Sequence, residues 1–194
     1  HEETARESAE KFGAKMAFHN HMEMLEKADL DVVAVVVRVP IHHQLAMDVL
    51  RAGKHVYTEW PLGANLQEAQ EMADLARENG VLSMVGLQSR VAPVFLTLRD
   101  LIADGYVGDV LSVNLSQISS GVLTRVSGRT WQRENAMGAT TLTIPIGNSM
   151  GGRCMCLGEF ESVSATVRTK DPQWHETDTD KMVDVTAQDN IMVN

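Results

Sequence analysis

Along residues 1–90 the apolar positions switch between helical spacing and short continuous runs. Glu2–Phe12 and Met22–Ala28 carry them at helical spacing, and the run Val32-Val33-Ala34-Val35-Val36-Val37 follows. A β-branched run without polar alternation predicts a strand buried on both faces, as in a parallel sheet. The scheme then repeats. A helix over His42–Ala52 stops at Gly53, and a strand follows over His55–Glu59. A helix over Asn65–Asn79 opens on an N-cap asparagine with Glu68 three residues later, stops at Gly80, and leads into a strand over Val81–Leu87. Strands separated by helices imply right-handed crossovers and a parallel sheet.

The pattern changes near residues 90–92. Pro93–Ala103 reads as a helix and Gly105–Gly108 as a turn. Asp109–Ile118 alternates apolar and polar residues, which predicts a half-covered strand. A loop rich in Ser, Gly and Arg spans Ser119–Asn135, and an apolar helical region covers Gly138–Leu157. Two strands are expected at Glu161–Thr169 and Val185–Val193, joined by a polar connection over Lys170–Lys181. The expected fold class is α/β, a truncated Rossmann-like parallel sheet over residues 1–91 followed by an α+β half over 92–194 with a mostly antiparallel sheet.

Composition narrows the function classes. The 194 residues are 44% apolar, with 17 Lys and Arg against 26 Asp and Glu, a net charge of −9. The basic residues are scattered rather than striped, which argues against nucleic acid as a partner. No run is long enough to span a membrane, and His1-Glu2-Glu3-Thr4 lacks the parts of a signal peptide, so a cytoplasmic location is expected. Cys154 and Cys156 are two apart in a helical stretch, where side chains diverge, so they read as packing thiols rather than a disulfide or metal pair. No metal site is expected.

In parallel sheets ligands bind beyond the carboxyl ends of the strands. Those ends carry Pro40-Ile41-His42-His43, Glu59-Trp60-Pro61 and Gln88-Ser89-Arg90. His42 and His43 serve either proton transfer or a capping or surface role. Glu59 serves as an acid or base, or as a partner of Arg90 or of a backbone amide, and Trp60 offers either a stacking surface or packing. No G-x-G-x-x-G loop is present, so no cofactor-binding residue is assigned.

Three spaced runs carry a family resemblance: Ala52-Gly53-Lys54-His55-Val56-Tyr57-Thr58-Glu59-Trp60-Pro61-Leu62, Val85-Gly86-Leu87-Gln88-Ser89-Arg90, and Leu101 through Val110. They resemble the Gfo/Idh/MocA oxidoreductases, and most nearly the fungal branch that includes the galactose-regulon repressor of yeasts. The resemblance implies a Rossmann domain for NAD or NADP, followed by a domain whose open sheet supports the substrate site and oligomer contacts. It also implies departures. Trp60 stands where typical members have the acting lysine, Asn148 stands where they have histidine, and Gly151 stands at the following acidic position. The first strand, glycine loop and second strand of the Rossmann unit have no counterpart in this sequence, so NAD or NADP is expected only if such a loop lies upstream.

These departures favour a cofactor-independent isomerase, cyclase or lyase acting on a small organic molecule. Its catalytic candidates are His42, Glu59, Arg90 and Asn148, with Trp60, Gln88 and Trp131 as substrate-binding candidates. A non-catalytic regulatory protein and an NAD(P)-dependent oxidoreductase remain as alternatives. Exposed apolar sheet surface predicts a homodimer or larger assembly.

Overall fold

A computed structural model describes residues 1–118 and 123–194. It resolves into two compact units, His1–Val85 and Gly86–Asn194. The first four residues of the expected Ser119–Asn135 loop lie outside the described residues.

The first unit runs α1 (Glu2–Phe12), α2 (His21–Lys27), β1 (Val32–Val35), α3 (His42–Arg51), β2 (His55–Glu59) and α4 (Leu66–Glu78), with β3 (Ser83–Gly86) closing the order β1-β2-β3. β1 and β2 are parallel, with Val33 opposite Val56 and Val35 opposite Thr58. The helix stops are those the glycines require. Gly53 and Gly80 take φ of 69° and 63°, a left-handed conformation that costs a side-chain-free residue little. At the start of α4, Asn65 Oδ1 accepts from the Glu68 amide at 3.0 Å, while Glu68 Oε2 accepts from the Ala64 amide at 2.8 Å. The reciprocal cap thus reaches one residue further back than a simple capping box.

Val33 and Val35 of β1 and Val56 of β2 pack on Ala46, Val49 and Leu50 of α3 and on Met72 and Ala76 of α4. Each of the larger side chains among them contributes roughly 1.5–3 kcal/mol through removal from water. The expectation of a strand buried on both faces is corrected here. Burial along β1 alternates, and Val32 and Val36 are each 56% exposed, because α3 and α4 pack against one face only. Leu82 and Met84 are also exposed.

The second unit holds α5 (Pro93–Ala103), β4 (Thr124–Arg125), α6 (Gly147–Leu157), β5 (Ala165–Arg168), β6 (Gln173–Glu176), β7 (Lys181–Asp184) and β8 (Asn190–Val193). β4 lies parallel to β6, β6 pairs antiparallel with β7, and β5 pairs antiparallel with β8. Packing of α5 on α6 depends on Gly152, where an added Cβ would stand 2.8 Å from the Phe95 ring. A smaller core gathers Trp174, Val185 and Ala187. Cys154 and Cys156 are free thiols.

Three expectations change in this unit. Asp109–Ile118 forms no strand and is exposed throughout, since alternation yields a strand only where a neighbour completes the ladder, and none of the described strands does. The Gly138–Leu157 region is broken by a π-turn over Leu142–Ile146 containing Pro145, which has no amide to continue a helical ladder. The polar connection over Lys170–Lys181 contains β6 and its hairpin into β7, and the expected strand over Val185–Val193 is instead β8 alone. Its sequence hides the strand because Trp174 is the only large apolar residue in β6.

Candidate functional site

In the first unit the polar residues gather at the carboxyl ends of β1 and β2. β1 leads through a short 3-10 turn, Val39–Ile41, into α3, and β2 ends at Glu59 before a cis Trp60–Pro61 peptide. His42 joins these two loops. It is 1% exposed, and its ring nitrogens each lie 2.9 Å from a main-chain oxygen, Nδ1 from that of Pro61 and Nε2 from that of Val37. The imidazole is therefore a clasp sealed from solvent. His43 turns the other way, with Nε2 at 2.8 Å from the Glu71 carboxylate. Hydrogen bonds from Gln67 first and His43 second hold that carboxyl below its ordinary range. Glu59 is half-buried, and its carboxylate makes no hydrogen bond or ion pair among the described residues. Trp60 beside it is also half-buried.

In the second unit Gln88, Ser89 and Asn148 form one cluster. Asn148 Oδ1 accepts from the Ser89 amide at 3.2 Å, Asn148 Nδ2 donates to Gln88 Oε1 at 2.7 Å, and Ser89 Oγ donates to the Asn148 main-chain oxygen. This fastens the first turn of α6 to the 3-10 segment Gln88–Val91. An amide so held is a positioning group: it has no lone pair basic enough to take a proton from an alcohol. Arg90 is exposed and Trp131 half-buried. Gly151, at the position where the resemblance implied an acid, faces Leu87 and Ser89 at ordinary contact distance.

The role of Ser89 has no signal in the sequence beyond its place beside Gln88. The Arg125–Trp174 pair has none either, since Arg125 falls in the Ser-, Gly- and Arg-rich loop and Trp174 in the polar connection. The turn from β1 into α3, Arg38-Val39-Pro40-Ile41, contains no glycine. Among the described residues no group of three His, Cys, Asp or Glu is placed to hold a metal, and no helix is long and apolar enough to cross a membrane.

Parallel strands with helical crossovers, followed by a unit of small, mostly antiparallel sheets, define a Rossmann-like oxidoreductase architecture. Residues 1–87 match the oxidoreductase family with NAD-binding Rossmann fold, and residues 93–194 match the C-terminal domain of Gal80p, so the chain belongs to the Gfo/Idh/MocA family with a Gal80p-like second part. It is 34% identical over 163 residues to dehydrogenase aclE of Aspergillus oryzae, covering 84% of this chain and 44% of that protein. It superposes with a TM-score of 0.90 on a super-repressor mutant of Gal80p from Saccharomyces cerevisiae, at 22% identity, covering 100% of this chain and 54% of the other. Levoglucosan dehydrogenase in complex with NADH and L-sorbose superposes with a TM-score of 0.83 at 23% identity, covering 98% of this chain and 51% of the other. The chain thus spans about half the length of the relatives it matches.

Proposed function

We propose that this chain is a small-molecule-binding member of the family that does not use residue 148 for hydride-linked proton transfer, and that it supports a cofactor-independent isomerisation, cyclisation or elimination. The observation that carries this reading is the amide of Asn148, held by Ser89 and Gln88 at the position of the family's histidine. Trp60 at the lysine position removes a second charged donor. What remains for acid or base chemistry in the first unit is Glu59, a half-buried carboxylate without a partner among the described residues. His42 is assigned a positioning role, holding the Trp60–Pro61 turn through the Pro61 oxygen. In the second unit Arg90 supplies positive charge, while Gln88 and Trp131 supply contact surface. Chemistry of this kind rests on orientation and fixed charge rather than on a redox group.

A second reading is regulatory binding without turnover, favoured by the match of residues 93–194 to the Gal80p C-terminal domain. Incubation of the protein with cyclic polyols and ketoses in deuterated water, followed by NMR, separates the readings. Rearrangement or deuterium uptake without NAD(P), abolished by Glu59→Gln, supports the enzymatic one. Saturable binding without change supports the regulatory one. Accumulation of NADH or NADPH from the oxidised cofactor and any of these compounds refutes both.

A further inference from the structure

A cavity lies wholly within the Gly86–Asn194 unit. It encloses about 120 Å³ and is lined by Arg125, Gln132, Thr141, Ile144, Pro145 and Trp174 among others. Arg125 enters it from β4, its guanidinium carbon 4.9 Å from the centre of the Trp174 ring. Trp174 is 5% exposed, so this wall is fixed by the small core it shares with Val185 and Ala187.

The charge in this cavity is unbalanced. A guanidinium has five N–H donors, and among the described residues that of Arg125 makes one hydrogen bond, to the Thr124 main-chain oxygen at 3.0 Å. Among the described residues no carboxylate forms an ion pair with it. Glu176 is its register partner on β6, yet that carboxylate takes the Thr179 hydroxyl at 2.6 Å. Asp178 takes the Ser127 amide and hydroxyl at 2.7 and 2.6 Å. Both acids are satisfied by neutral donors. Burial, and then the neighbouring Arg129, push the Arg125 guanidinium below its ordinary pKa. The side chains of Gln132 and Thr141 likewise make no hydrogen bond among the described residues, so two neutral donors line the cavity beside the cation.

We propose that this cavity is a binding site for small organic carboxylates, with Arg125 as the anion receptor and Gln132 and Thr141 as supporting donors. The fork of a guanidinium matches the two oxygens of a carboxylate. Ile144, Pro145 and the Trp174 ring give an apolar wall suited to a short carbon chain rather than to a fully hydrated inorganic anion. Drug-sized ligands need cavities of about 300–1,000 Å³, so this one takes a carboxylate with few carbons, or the acidic end of a larger molecule. The site is independent of the chemistry proposed for Glu59.

The test is titration of the full chain with sodium propionate, followed by NMR at the Trp174 indole and the Thr141 amide, with sodium chloride and sodium phosphate at matched ionic strength. Propionate is expected to produce saturable shifts at both, and the two salts not. Arg125→Gln should weaken propionate binding by roughly tenfold or more, the loss of a charge-assisted bond. Thr141→Val, a half-buried position that leaves the Arg125–Trp174 stack in place, should weaken it several-fold with an unchanged near-ultraviolet spectrum. Equal shifts with chloride, phosphate binding as tightly as propionate, or wild-type affinity in Thr141→Val and a folded Arg125→Gln would each overturn the proposal.

Discussion

Gly151 and Gly152 are adjacent on α6, and substituting each in turn isolates one packing contact. Alanine at either position gains helix propensity, by about 0.8–1 kcal/mol relative to glycine. At Gly151 the new Cβ meets Leu87 at 3.5 Å, an ordinary contact, so Gly151→Ala should raise stability by nearly that amount. At Gly152 the Cβ would stand 2.8–2.9 Å from three atoms of the Phe95 ring. Carbon atoms pack at about 3.5–4.0 Å, so the ring, or α5 with it, must recede by roughly 0.7 Å. Overpacking of this sort costs about 1–3 kcal/mol. Because the propensity gain is common to both, the two variants should differ by about 1–3 kcal/mol, with Gly152→Ala the less stable. Urea denaturation followed by tryptophan fluorescence reads this as a difference in midpoint at unchanged slope. Coincident midpoints, or a more stable Gly152→Ala, would refute the packing assigned to α5 and α6.

His42→Leu should destabilise the first unit by about 1–3 kcal/mol, because it removes the ring that joins the buried Pro61 main-chain oxygen to the Val37 loop; thermal unfolding at wild-type temperature would argue for a catalytic rather than a positioning histidine. Asn148→Ala removes two side-chain hydrogen bonds and should cost about 1–2 kcal/mol by denaturant titration, whereas Asn148→Asp keeps the bond from Ser89 and loses the one to Gln88, so it should cost less. Acid stability follows from Glu176, whose carboxyl is held below the ordinary range by Thr179 first and then by Thr130. Because the native value is the lowered one, its contribution is complete above the ordinary glutamate value of about 4.3 and is lost as pH falls through the native value. In Thr179→Val that acid-dependent loss should shrink, as measured by denaturation midpoints across the acidic limb. The exposed Val32, Val36, Leu82 and Met84 should make the protein self-associate with rising concentration, and a constant monomer mass by light scattering would count against this.

The alternating helices and strands of the first unit were legible because each element has its own local punctuation: Asn65 and Glu68 at a helix start, Gly53 and Gly80 at helix ends. The second unit was less legible because its elements depend on partners far along the chain. Asp109–Ile118 has the alternation of a strand without a ladder, while Gln173–Glu176 has a ladder without the alternation. The same holds for the site. Asn148 could be singled out from its motif, but its bonds to Gln88 and Ser89 span 60 and 59 positions, and no local pattern encodes them. His42 was visible as a polar residue at a strand end. Its burial followed from the paths of two loops that only the fold brings together.

The one-sided covering of the β1-β2-β3 sheet also has a calorimetric meaning. Val32, Val36, Leu82 and Met84 are already hydrated in the native state, so unfolding adds little apolar surface at these positions. Hydration of newly exposed apolar surface is what gives unfolding its positive heat-capacity change, about 12–15 cal/mol/K per residue in ordinary domains. The first unit should fall below that range, and its stability curve should be correspondingly flat with temperature. Whatever covers the face would steepen the curve, so the curvature of the melt reports the occupancy of the sheet.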